Sequence, residues 1–73
     1  MLKILKETER AIQINLIVDN DFTEQTFKKL VWIPKSQLEE NGMPKVWILN
    51  AKFKEIYQYE GHKGFTLRGV EVQ

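Results

Sequence analysis

The chain has 73 residues, 42% of them hydrophobic and 11% aromatic, with eleven Lys and Arg against ten Asp and Glu for a formal charge of +1. That length holds one domain, residues 1–73, with a small core, and a balance this even excludes a global field that would draw in nucleic acid or anionic membrane without a local patch. The absence of cysteine removes disulfides, thiolate metal sites and thiol nucleophiles together.

Met1-Leu2-Lys3-Ile4-Leu5-Lys6-Glu7 holds an apolar run too short for a signal peptide, and no later stretch is long enough to span a bilayer as a helix, so a cytoplasmic location is expected. Leu2 and Ile4 alternate with Lys3, which favours a short first strand before the polar interruption Glu7-Thr8-Glu9-Arg10. From residue 11 to 18 the alternation is the clearest in the chain, with Ile12, Ile14, Leu16 and Val18 on one face and Gln13 and Asn15 on the other. Ile17 is apolar on that second face, so part of it is expected to be covered as well.

Asp19-Asn20-Asp21 is a turn sequence, because short polar side chains there bond their own backbone, and residues 22–25 continue it as a loop. Residues 26–33 return antiparallel, with Phe27, Val31 and Ile33 on one face and Lys28, Leu30 and Trp32 on the other. Pro34 has no amide hydrogen and ends the strand or confines it to an edge. Ser36 and Glu39 then have capping-box spacing for a helical turn, and Asn41-Gly42 either closes it or makes a tight reversal.

Pro44 suits the first turn of a helix, and the helical period runs to Glu60, with Gly61 as its stop. Val46, Leu49, Phe53, Ile56 and Tyr57 form the expected core stripe. The competing reading makes Val46-Trp47-Ile48-Leu49 a strand, with Asn50 capping a shorter helix. After a Gly61-His62-Lys63-Gly64 turn, Phe65, Leu67, Val70 and Val72 mark a last strand bent or bulged at Gly69. The fold class is therefore α+β, an antiparallel sheet of three or four strands packed by one main helix, with a small closed barrel as the alternative.

Two stretches, Lys6-Glu7-Thr8-Glu9-Arg10-Ala11-Ile12 and Val31-Trp32-Ile33-Pro34-Lys35-Ser36-Gln37-Leu38, resemble a group of small uncharacterised phage, prophage and mobile-element proteins. In that group a Glu-Thr-Glu-Lys-Ala-like start precedes a Trp-(aliphatic)-Pro-Lys-Ser-Gln-(aliphatic) segment, then a proline-initiated segment with a tryptophan. Pro44 and Trp47 would hold those last places here, and Arg10 stands where the group has lysine. The resemblance covers about two thirds of the chain and implies a genomic setting near replication and recombination functions, not a reaction.

Catalysis has the least support. The one histidine, His62, sits in a glycine-flanked turn, and no spacing matches a hydrolase elbow or a phosphate-cradling loop. Asp19 and Asp21 could share a loop, but the further oxygen ligands of a calcium loop are missing at their spacing. The expectation is no enzyme, no catalytic residue, no metal and no cofactor.

Binding has more. Lys28, Lys29, Lys35, Lys45, Lys52 and Lys54 fall in a stretch whose acids are only Glu39 and Glu40, with tryptophans interleaved. Such a mixture holds single-stranded nucleic acid by phosphate attraction and base stacking, and the residues expected to do so are Lys28, Lys35, Trp47, Lys52 and Lys54. Trp32 is expected in the core, as tryptophan in a small domain usually is. The alternative is a protein-interaction module, a homo-oligomer or an inhibitor of a host protein, which uses Ile48, Lys52 and Tyr59 on the outward side of the helix.

Overall fold

A computed structural model describes residues 1–57 and 64–73. The helix continuation to Glu60, its stop at Gly61, the His62 turn and the contact residue Tyr59 lie outside the described residues.

The strongly alternating segment becomes the central strand β2 (Ala11–Asn20). β3 (Gln25–Pro34) pairs with it antiparallel along its full length, from Ala11 opposite Pro34 to Asn20 opposite Gln25. The other edge of β2 is shared end to end. β1 (Lys6–Glu7) lies against Gln13 and Ile12, and β4 (Phe65–Val70) lies against Leu16 to Asn20. Between them the Glu71 amide donates to the Asn15 carbonyl (2.9 Å) and the Leu5 amide to the Gln13 carbonyl (2.8 Å). The chain's two ends join beyond this seam, where the Gln73 amide donates to the Met1 carbonyl (2.8 Å) and Leu2 bridges Val72. The first strand thus forms at Lys6–Glu7 instead of at the Leu2/Ile4 alternation, because the central strand offers its edge there. The sheet is antiparallel and does not close, so the fold is α+β and not a barrel.

The β2–β3 turn is built by Asn20, whose Oδ1 accepts from the amides of Phe22 (2.9 Å) and Thr23 (3.1 Å). The Phe22 ring lies over Gly64, where a Cβ would come within 2.4 Å of it, and Gly64 has a φ of +89°. Glycine is therefore required there on two counts. In β4 the register with β2 shifts so that Ile17 faces Gly69 while Val18 faces Leu67, and Arg68 is the extra residue of a bulge.

Ile12, Ile14, Leu16 and Val18 are buried, and across the pair Val31 and Ile33 join them. The helix α1 (Val46–Tyr57) covers this face. At about 100° per residue its buried and half-buried positions Ile48, Leu49, Lys52, Phe53, Ile56 and Tyr57 form one stripe, with half-buried Ala51 on the flank beyond Ile48. The expected stripe was therefore right from Leu49 onward but wrong in its first turn. Val46 is 71% exposed, while Ile48, expected to face outward, is 8% exposed. These two residues lie on opposite flanks of the stripe's midline, so one turn of periodicity could not decide which flank meets the core. Tyr57, 1% exposed, stacks on Phe65 of β4 at 4.4 Å between ring centroids, and Phe53 lies 5.0 Å from Tyr57.

Two further expectations fail between the sheet and the helix. Residues Lys35–Gln37 form a 3₁₀ turn with Pro34 at its N-cap and no side-chain cap bond, so Ser36 and Glu39 do not make a capping box. Pro44 is extended and bridges Leu38, and the helix opens one residue after Lys45, whose carbonyl accepts from the amides of Ile48 (3.1 Å) and Leu49 (3.3 Å). Asn41-Gly42 makes the reversal as expected, with the Met43 amide donating to Asn41 Oδ1 (2.9 Å) and Gly42 at φ +84°.

Candidate binding surface on the open sheet face

Alternation in β2 and β3 sends every second side chain to the face that α1 does not cover. Directly opposed residues point the same way, so Gln13 stands beside Trp32, Asn15 beside Leu30, Ile17 beside Lys28 and Asp19 beside Thr26. On the other edge Lys6 opposes Gln13, which completes a row Lys6-Gln13-Trp32 across the sheet. Trp32 is 41% exposed and Leu30 59% exposed, two large apolar groups two residues apart on one strand with no element over them among the described residues.

Glu71 organises the charge on this face. Its Oε1 accepts from Asn15 Nδ2 (3.0 Å) and lies 3.8 Å from Lys3 Nζ, and its Oε2 pairs with Lys28 Nζ. The Lys28 bond, then the Asn15 bond, hold its carboxyl below the ordinary value of 4.5. Lys28 belongs to β3 and Glu71 follows β4, so the lysine stem crosses β2 to reach its partner and covers part of Ile17. At the far end of the strands Arg68, the bulged residue, lies 3.8 Å from Asp19, which also accepts from the Thr26 hydroxyl (2.8 Å). The face therefore carries Lys3, Lys6, Lys28 and Arg68 against Glu71 and Asp19, with Lys6 next to the tryptophan row and in no ion pair among the described residues.

The residues expected to bind nucleic acid do not come together. Lys28 is on the open face. Lys35 is at the end of β3 and pairs with Glu7 at 2.6 Å. Trp47, Lys52 and Lys54 are on α1, which lies on the opposite side of the sheet. Trp47 is 56% exposed, and Lys52 reaches Glu55 at 3.9 Å. The second expected surface loses Ile48 to the core, while Tyr59 lies outside the described residues. Trp32, expected to be a core residue, is instead the most prominent ring of the open face.

Lys3, Lys6 and Arg68 lie outside the lysine-rich middle of the chain, and the residue type of Trp32 points to a core, so charge and composition alone do not bring these four together. The signal lay in β2: a face of four aliphatics must be the covered one, and the turn register places Trp32 beside Gln13 on the other. Asp19 and Asp21 bond to Thr26 and Thr66 hydroxyls, as turn residues do. No group of three or more His, Asp or Glu suited to a metal occurs among the described residues. No helix among them is long and apolar enough to cross a membrane. Comparisons with protein-family models, curated proteins and solved structures find no match.

Proposed function

We propose that this protein is a non-enzymatic accessory binding protein of the phage or mobile-element kind, and that it holds single-stranded nucleic acid on the open face of its sheet. The observation that carries the reading is Trp32, exposed on the helix-free face in a row with Gln13 and Lys6. An aromatic ring on an uncovered sheet is a stacking platform that accepts any base, and ammonium and guanidinium groups around it track the phosphates. Lys6 beside the ring supplies that charge, Lys3 and Lys28 on Glu71 and Arg68 on Asp19 extend it along the face, and the Gln13 amide is offered to base edges or sugar hydroxyls. The resemblance at Lys6 to Ile12 and at Val31 to Leu38 supports the genomic setting, and both stretches contribute to this face through Lys6 and Trp32.

The test uses a Trp47→Phe variant, so that Trp32 is the only tryptophan emitter. Titration with a single-stranded oligonucleotide is expected to quench its emission. Affinity is expected to fall with salt at a slope of about −0.7 per phosphate contacted. Unchanged emission with both single- and double-stranded DNA removes the reading.

A second reading rests on Leu30, which stands beside Trp32 and gives the face an apolar centre of the kind found in protein contacts. In that case Leu30→Asp abolishes capture of a protein partner, and the binding is insensitive to salt.

A further inference from the structure

β3 is a ten-residue strand that pairs on one side only among the described residues. The direction of its backbone groups follows from the ladder. Lys35 N–H donates to the Arg10 carbonyl (2.8 Å), continuing the β2–β3 register, while Gln13 and Asn15 of β2 accept from the opposite edge. In an antiparallel ladder the bonded residues alternate, so odd-numbered residues of β3 bond to β2. Thr26, Lys28, Leu30 and Trp32 therefore direct their N–H and C=O groups to the free edge. Pro34 falls in the same set, so its missing amide faces outward, where proline is tolerated.

A long edge is ordinarily guarded by charge that stays at the edge. Here Lys28 is drawn back across β2 to Glu71, and the two exposed side chains that follow it in this set are Leu30 and Trp32. We infer that a second copy of this chain adds to the free edge of β3, antiparallel, about a two-fold axis normal to the sheet at Leu30. An antiparallel pair of identical strands in one sheet has its axis normal to that sheet. Both helices then fall on one side, and directly opposed residues are both even or both odd. Centring the axis on Lys28 or Lys29 sets a lysine against its own copy, which like-charge repulsion disfavours. Centring on Val31 shortens the ladder and sets Lys28 against the amide-less Pro34.

Centring on Leu30 sets Leu30 on Leu30, Lys28 opposite Trp32, Lys29 opposite Val31, Phe27 opposite Ile33 and Thr26 opposite Pro34 of the second copy. No like charges oppose one another, and the proline comes at the two ends of the ladder. The assembly is isologous and closed, and it joins the two open faces into one sheet with paired Leu30 residues at its centre. This goes beyond the binding reading and does not rest on it.

Sedimentation equilibrium on the full chain, from micromolar to millimolar, is expected to show a monomer–dimer equilibrium. Leu30→Lys, which places two ammonium groups on the axis at a position exposed in the single chain, is expected to raise the dimer dissociation constant by about tenfold or more. Because the chain has no cysteine, Leu30→Cys reports the register directly. A bonded pair on the axis has Cα atoms about 5.5 Å apart, within disulfide range. Oxidised Leu30→Cys is expected to run as a covalent dimer and Thr26→Cys is not.

A monomer at every concentration, a Leu30→Lys variant that is folded by circular dichroism and dimerises like the wild type, or cross-linking at Lys29→Cys in preference to Leu30→Cys overturns the proposal. If Leu30→Lys does not fold, the cross-linking result alone decides. A monomer whose Trp32 is still quenched by oligonucleotide sinks the dimer only. A dimer that binds no oligonucleotide sinks only the open-face reading.

Discussion

The two faces of β2 come from one ten-residue stretch and end in opposite environments. Ile12, Ile14, Leu16 and Val18 lose essentially all contact with solvent, while Gln13, Asn15 and Ile17, one residue away, stay half-exposed beneath Trp32, Leu30 and Lys28. The difference is a matter of who arrives. α1 brings Ile48, Phe53, Ile56 and Tyr57 to the first face, and among the described residues only side chains from neighbouring strands cover the second. An antiparallel sheet can be stabilised from one side and leave the other to solvent, and a small domain has few residues with which to cover both.

The sharpest way to break this contrast is to remove matched side chains. Leu16→Ala, at a site with no exposure, is expected to lower unfolding free energy by about 2–5 kcal/mol in urea denaturation. Ile17→Ala on the open face should cost well under half as much. Equal losses would mean that the second face is a core in its own right.

Trp32→Ala is expected to reverse the order. It should weaken oligonucleotide binding by about 1–3 kcal/mol and change stability by no more than about 1 kcal/mol. Loss of folding together with loss of binding would return Trp32 to the core role that its residue type suggests. Trp47→Ala is the control, and affinity is expected to be unchanged.

Glu71 gives the smallest effect and the finest test. Its carboxyl is held below 4.5 in the folded protein, chiefly by the Lys28 and Asn15 bonds, so its contribution to stability is complete above that value and is lost as pH falls through the lowered one. Glu71→Gln is expected to flatten that acid limb in pH-dependent melts. At neutral pH it frees Lys3 and Lys28 for phosphates, so it should tighten oligonucleotide binding several-fold and steepen the salt slope by up to about 0.7 for each cation released. Weaker binding in Glu71→Gln would place the nucleic acid away from these lysines.

Much of the architecture was legible because it depends on local alternation and turn chemistry. Residues 11–18 and 26–33 announced a hairpin, Asn20 its turn, Asn41-Gly42 a reversal and Gly69 a bulge. Local signals were insufficient where two of them competed for one tertiary partner. Ser36 and Glu39 had capping spacing, but the Lys45 amide bonds to the Gln37 carbonyl (3.0 Å) and Leu38 bridges Pro44, so the chain leaves the 3₁₀ turn extended. Val46 and Ile48 were equally apolar, and the core took the second. The lysine-rich middle was legible as charge but not as geometry, since Lys28 and Lys52, twenty-four positions apart in sequence, end on opposite sides of one sheet.

The amino-acid sequence by itself determined the β2–β3 hairpin, its alternation, a main helix through Leu49 to Tyr57 and the absence of cysteine from these residues, because each of these follows from side-chain period and residue type within a few neighbours. Only the tertiary structure decided which face the helix covers. It also decided that Trp32 is left partly exposed, that Glu71 reaches Asn15 and Lys28, and that β3 has one unpaired edge among the described residues, because each of these depends on where a segment far along the chain comes to rest.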